Sequence, residues 1–470
     1  MQLAIVGSGF SGLGLAVRLK QQGFDDFVVL ERADALGGVW LDHLHPGSAC
    51  DVASHLYPFS FAPSLHWTRA YAARHEILAY LERCAHRHDL LPHLRFGHDV
   101  LEARWDDALQ VWRVTTSAAC FTTRVLVDAS GFSSEPVVPD LPGLTGFAGA
   151  RFHASHWDHA VTFDDRRVGV IGTGAAAAQI VPELQPRAKR LTVFQRTPAW
   201  VVPRLEHTLR SARLLAARPV MHRLARAAAD VMSGPRVGNV ALRTILERRA
   251  LRHLEACVPD PALRTLLTPR AGEHRVLFSD TYLPALARAN VEVVSTPIAE
   301  VAANGVVTSE GVLHELDALV LATGHRITEP ALAARMYGRD GRSLSAHWAG
   351  RAVTHLGSMV SGFPNLFLLR GATPARGHVP LARMIERRID FMLAALGYLW
   401  NQGATTLEPK SDVRQGSVEE PSPRRLRFRP EEYQLERGAW MEVRQVSAPP
   451  AQREPIGGSS ERPADTQENA

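Results

Sequence analysis

Short, uninterrupted apolar runs alternate with glycine turns and helically spaced apolar positions along most of the chain. "LAIV" at residues 3–6 reads as a buried strand and leads into Gly7-Ser8-Gly9-Phe10-Ser11-Gly12. In the following "LGLAVRLKQQG", Leu15, Val17 and Leu19 keep helical spacing until Gly23 stops the helix. "FVVLE" is the next strand and ends on Glu31. The same order recurs after Arg166: "RVGVIGTGAAAAQIVPEL" supplies a strand, then Gly172, Gly174 and Ala177, then a helix. "LTVFQRTP" is its second strand and closes on Arg196. Two more apolar strands with small-residue ends, "VLVDASGF" (125–132) and "LDALVLATGH" (316–325), read as crossings between domains, the second returning the chain to the first unit. After about Lys410 the apolar periodicity disappears and proline, serine and charge dominate, which predicts disorder.

This pattern predicts an α/β protein with two Rossmann-like dinucleotide-binding domains, the first of them discontinuous. The boundaries expected are 1–145 with 311–405 for the first domain and 146–310 for the second, which carries a helical insertion around 205–265. Residues 406–470 form an atypical or disordered tail. The chemistry lies in the turns. Gly7 and Gly172 permit the tight turn, Gly9 and Gly174 let backbone approach a pyrophosphate, and Gly12 or Ala177 lets helix pack on strand. A glycine loop alone is a weak signal; strand and helix context strengthens it.

The two units end differently. Glu31 lies 31 − 7 = 24 positions after Gly7, where a carboxylate binds ribose hydroxyls. Arg196 lies 196 − 172 = 24 positions after Gly172, where a guanidinium can grip a 2′-phosphate that an acid would repel. FAD in the first unit and NADPH in the second is the assignment this contrast favours, with hydride passing between them.

Composition narrows the picture. The 470 residues are 46% hydrophobic, enough for two or three full cores. The net charge of +5 is mild, and no basic stripe with interleaved aromatics suggests nucleic acid. The longest apolar run near the C-terminal end, "FMLAALGYLW", is too short to span a bilayer, so stable membrane insertion is not expected. No secretory leader is evident at Met1, and four scattered cysteines, Cys50, Cys84, Cys120 and Cys257, fit a cytoplasmic protein with reduced thiols.

One stretch resists the nucleotide reading. "FAGARFHASHWDH" places His153, His156 and His159 at every third residue beside Asp158, which suggests a metal cluster or an acid–base group. Its Phe147, Gly149, His153, Trp157 and Asp158, lying between the two glycine turns, match FxGxxxHxxxW followed by Pro or Asp. With "FQRTPAWVVPR", "HRVLFSDTYLPAL" and "GFPNLFLL", these residues make the chain resemble the Baeyer–Villiger monooxygenases, class B flavin-dependent monooxygenases, over about residues 1–400. The resemblance implies that the stretch is a hinge with no metal and that His156 and His159 are surface residues.

It further implies that NADPH reduces FAD, O2 adds to the flavin, and the resulting flavin peroxide attacks a ketone to give an ester or lactone. Sulfur or nitrogen oxygenation, and an NADPH oxidase that no longer oxygenates, are the alternative readings. Arg275 in "EHRVLFSD" aligns with the family's active-site arginine, and Asp51 in "ACDVASH" with the acid that holds it. A guanidinium suits a developing oxyanion because it cannot give up its proton. Gly38 and Trp40 in "LGGVW" fall at the flavin site, where Trp67 also packs. Three departures stand out. His274 replaces the usual lysine on the NADP phosphate, "LLRGATPARGH" replaces a usual Gly-Pro-Asn-Thr near the flavin ring, and the tail lacks the usual aromatic segment. Substrate identity and oligomeric state leave no motif in the sequence.

Overall fold

The computed structural model describes residues 1–64, 66–131, 135–204, 238–270, 273, 275–326, 331–369, 381–412, 416–417 and 426–437. Its two main layers are five-stranded parallel sheets. In the first domain the chain runs through β1 (Leu3–Val6), α1 (Phe10–Gln21), β2 (Phe27–Leu30), β3 (Leu94–Arg95) and β4 (Val125–Asp128). It crosses to the second domain for β5 (Ala150–His153), β6 (Arg167–Ile171), α2 (Ala175–Leu184), β7 (Arg190–Phe194), β8 (Trp200–Val202), β9 (Val276–Phe278), β10 (Val291–Val294) and β11 (Ala318–Leu321). It then returns for β12 (Leu366–Leu368), α3 (Leu381–Asn401), β13 (Thr406–Pro409) and β14 (Tyr433–Glu436).

The first sheet has the order β12-β4-β1-β2-β3 and the second β10-β7-β6-β11-β5. Strands β1, β2 and β4 are buried along their whole length. That burial is why they read as continuous apolar runs rather than alternating ones. An antiparallel sheet built on Val100–Asp106, Val111–Thr116 and Cys120–Thr123 flanks the first domain.

Two expectations are corrected here. β11 does not return the chain to the first domain: it lies between β6 and β5 in the second sheet, pairing Val320 with Val170 and with Phe152. Its all-apolar sequence needs neighbours on both sides, and only an interior position in a parallel sheet supplies them. The strand that completes the first sheet is β12, so the boundary near 311 lies too early.

The tail is the second correction. β14 pairs antiparallel with β13, and Tyr433 is buried. Phe428 stacks on Tyr433 with ring centroids 4.7 Å apart, and Leu426 and Phe428 pack against the first core. Arg339 ties this strand down through Glu408 at 3.1 Å, Glu436 at 2.7 Å and Asp107 at 2.8 Å. The few aromatic and charged anchors between 426 and 437 outweigh a polar composition that the sequence pattern took for disorder.

Candidate functional site

Each sheet opens toward its dinucleotide turn, and the two turns are shaped by contacts that exclude side chains. A Cβ on Gly12 would lie 1.9 Å from the Gly7 carbonyl oxygen, so only glycine lets α1 pack on β1 there. Gly7 itself has φ +102° and would bring a Cβ within 2.8 Å of the Ala129 oxygen. Gly38 faces Gly9, Cβ to Cα 2.9 Å, which makes the first turn a cradle lined by two glycines. In the second turn a Cβ on Gly172 would meet the Ala322 oxygen at 2.3 Å, whereas one on Gly174 would meet nothing within 4 Å. Ala177 is fully buried against the sheet.

Gly9 and Gly174 cap α1 and α2 without any side-chain hydrogen bond. The first-turn N–H groups are thus left to an anion, aided by the helix dipole. Both turns fit the pyrophosphate of a dinucleotide on these grounds.

The strand ends differ in setting as well as charge. Glu31 is buried and accepts from the Ser8 N–H and hydroxyl at 2.8 Å each and from the Ala33 N–H at 3.0 Å. Arg196 is exposed and has no hydrogen-bond or ion-pair partner among the described residues. Asp128, which sequence reasoning passed over, ends β4 beside the first turn with Oδ2 buried and without a partner. His274 lies outside the described residues, as does the "GATP" segment.

Beside the first turn, Trp40 Nε1 donates to the Tyr57 hydroxyl at 2.9 Å, and the Arg74 guanidinium donates to the Trp40 carbonyl at 2.8 Å. Trp67 is buried with its ring 5.6 Å from that of Tyr80. Asp51 is exposed; desolvation by the surrounding protein raises its pKa, with the Arg204 charge opposing. The Cys50 thiol beside it is pushed up to about 12 by burial and by Asp51. It is a packed, unreactive thiol.

The structure does not bring Asp51 and Arg275 together. Arg275 is exposed, its Nε 3.3 Å from Glu273 and its terminal nitrogen donating to the Thr197 carbonyl at 2.7 Å. The positive charge that lowers the Asp51 pKa is that of Arg204, which sits in the quoted "FQRTPAWVVPR" but carries no motif position of its own. The contact of Arg204 with Tyr71 of the first domain is what brings it to this region.

The "FAGARFHASHWDH" stretch is anchored by packing. Phe147 is buried in a small second-domain core, and a Cβ on Gly149 would clash with the Asp317 oxygen at 2.5 Å and with the Phe147 ring. Trp157 is buried edge-on to Phe152, ring centroids 5.0 Å apart, and Asp158 is exposed and accepts from the Ala160 N–H in a local turn. His156 and His159 are exposed, and no group of three metal-competent side chains occurs among the described residues.

His153 is different. It is buried, its Nδ1 lies 2.6 Å from the Ser155 hydroxyl, and its Nε2 has no hydrogen-bond partner although the Gly324 backbone is near. Its ring meets His325 edge-on at 5.5 Å, and His325 stacks on His43 of the first domain at 5.0 Å. Burial pushes His153 down to about 4 and His43 to about 3, so this three-ring contact is neutral at neutral pH.

Known proteins agree with this geometry. Residues 1–339 match the family of flavin-binding monooxygenase-like proteins. A Baeyer–Villiger monooxygenase of Streptomyces coelicolor is 42% identical over 422 residues, covering 87% of this chain and 81% of that protein. One from Pseudomonas aeruginosa is 37% identical over 423 residues, covering 88% and 80%. Among solved structures, the closed form of cyclohexanone monooxygenase aligns with a TM-score of 0.74 at 29% identity, over 88% of this chain and 87% of that one. Steroid monooxygenase bound to NADP aligns at 0.72 and 30% identity, over 87% and 88%.

Proposed function

The chain belongs to the flavin-binding monooxygenase-like family, and on that premise we propose which of its residues carry the oxygen insertion. It is an FAD- and NADPH-dependent flavin monooxygenase of the Baeyer–Villiger type. When bound, the flavin takes hydride from NADPH and supplies activated oxygen to a ketone carbonyl.

Everything else falls to the protein. Gly7, Gly9, Gly12 and Gly38 present backbone to the FAD pyrophosphate, Glu31 faces its ribose, and Trp40 closes the flavin side. Gly172, Gly174 and Ala177 shape the NADP turn, and Arg196 takes the 2′-phosphate. Arg275 stabilises the negative charge that develops on oxygen during transfer, because its guanidinium stays charged. Asp51 sets the electrostatics of the cleft. Phe147, Gly149, His153, Trp157 and Asp158 fix the hinge between domains.

The observation that carries this reading is the opposed charge at the two strand ends, one buried carboxylate bonded into its own turn and one exposed guanidinium. A cyclic or linear ketone is the substrate class proposed. Four free cysteines and the lack of a helix long and apolar enough to cross a membrane, among the described residues, support a cytoplasmic setting. The test is a panel of ketones and thioethers given to the FAD-loaded enzyme with NADPH. Ester or lactone from ketones supports the assignment, and sulfoxide formation with no ester would replace it by sulfur oxygenation.

A further inference from the structure

Arg204 stands where the second domain meets the loop that carries Asp51. That loop is paired with a second stretch of the first domain: the Cys50 N–H donates to the Ala72 carbonyl at 2.9 Å and the Ser54 N–H to the Ala70 carbonyl at 2.7 Å. Two grips reach this pair of stretches from the second domain, one on each. Gln179 of α2 donates to the Ala49 carbonyl at 2.9 Å, and Gly47 lies so near that helix that a Cβ would be 2.6 Å from the Gln179 oxygen. The other grip is Arg204. Its guanidinium sits 4.9 Å from the centre of the Tyr71 ring, and the Tyr71 hydroxyl donates back to the Arg204 carbonyl at 3.3 Å. On its own side, Arg204 Nε donates to the Phe278 carbonyl and its N–H to Asp280, each at 2.8 Å. A planar cation held by a carbonyl and an aromatic face is fixed in direction.

We propose that Arg204 is a positioning residue for the oxygenation: it docks the NADP-binding domain onto the Asp51 loop and supplies that carboxylate's counter-charge. Arg275 is then left to the oxygen-transfer step, and the two arginines divide tasks that one had been expected to perform. This rests on the role proposed above for Asp51. Burial raises the Cys50 thiol and the Tyr57 hydroxyl beside Asp51, and Asp280, which accepts from the Arg204 backbone N–H, is the carboxylate on the other side of Arg204.

The test compares Arg204→Met, Arg204→Lys, Asp51→Asn and the Arg204→Met/Asp51→Asn double variant as FAD-loaded enzymes. Arg204→Met is expected to keep FAD, to lose about tenfold in kcat for ester formation, and to move the acid limb of the pH–rate profile up by about one unit. Arg204→Lys keeps the charge but not the planar stack, so it restores the acid limb and only part of the rate. In the Asp51→Asn background the same Arg204→Met change is expected to cost under about threefold. Amide hydrogen exchange over residues 47–54 and 69–74 should quicken in Arg204→Met, a readout independent of turnover. A wild-type rate and acid limb in Arg204→Met, or an equal loss in the Asp51→Asn background, overturns the proposal. Should Arg204→Met fail to fold, an undiminished rate in Arg204→Lys would overturn it instead. Full activity in Asp51→Asn would overturn the role of Asp51 itself.

Discussion

The first glycine turn and the second follow one plan, yet they meet their cofactors in different ways. The first is enclosed: Gly38 closes over Gly9, and Glu31 is buried and hydrogen-bonded to Ser8. The second is open among the described residues, with free space beside Gly174 and an exposed Arg196 that has no partner there. An enclosed cradle suits a cofactor that stays through many turnovers, and an open one suits a cofactor that must arrive and leave. The difference lies in a few contacts, not in topology.

The sharpest way to break this contrast is to add a methyl group to each turn. Gly12→Ala sets a Cβ 1.9 Å from backbone, which no side-chain movement relieves, so the purified protein should carry almost no flavin absorbance. Gly174→Ala places the same group in open space. It should keep FAD and lose affinity for NADPH, read as a raised KM. Equal loss of flavin in both variants would remove the distinction.

Arg275 comes next in expected effect. It belongs to the second domain by its place before β9, but its proposed task is chemistry at the flavin of the first. Arg275→Ala should retain FAD and lower ester formation by about 10²–10³-fold, the scale of removing one oxyanion donor. An unchanged rate of ester formation would take Arg275 out of the mechanism.

Arg196→Ala tests the charge contrast directly. A charge-assisted contact to phosphate contributes about 1.5–3 kcal/mol, so the ratio of kcat/KM for NADPH over NADH should fall by roughly 10- to 150-fold. With His274 in place of a lysine, Arg196 carries more of that discrimination.

The smallest effect expected lies at the seam between the halves. His43 and His153 have folded-state pKa values of about 3 and about 4, below the ordinary value near 6.5, and His325 is lowered too. The unfolded chain therefore binds more protons between these limits. Stability from the neutral stack is full above about pH 6.5 and is lost as pH falls toward the folded values. Replacing His43 with Phe should flatten the fall of Tm between about pH 6.5 and 4, and an unchanged slope would show that the stack does not couple to acid unfolding.

The glycine turns, Glu31 and Arg196 were legible in the sequence because each is a local requirement: a backbone approach or a charge at a strand end. The Phe147, Gly149, His153, Trp157 and Asp158 motif was legible as a fixed pattern, though the partner rings His43 and His325 were not, since they come from two other segments. β11 was read into the wrong domain because an apolar strand does not state which sheet it joins. Residues 426–437 were read as disorder because composition averages away a few anchors such as Tyr433 and Phe428. The contact of Arg204 with Tyr71 was not legible for a similar reason: contacts across a domain boundary are set by docking and leave no spacing in the chain.

The central claim is that the two cradles run one reaction, hydride from the open half driving oxygen insertion at the closed half. Its most direct test is turnover of a ketone by the FAD-loaded enzyme with NADPH under isotope-labelled dioxygen. Ester or lactone is expected in amounts close to the NADPH consumed, each product molecule carrying one labelled oxygen atom. NADPH consumption that yields only hydrogen peroxide, or product without the label, would contradict it.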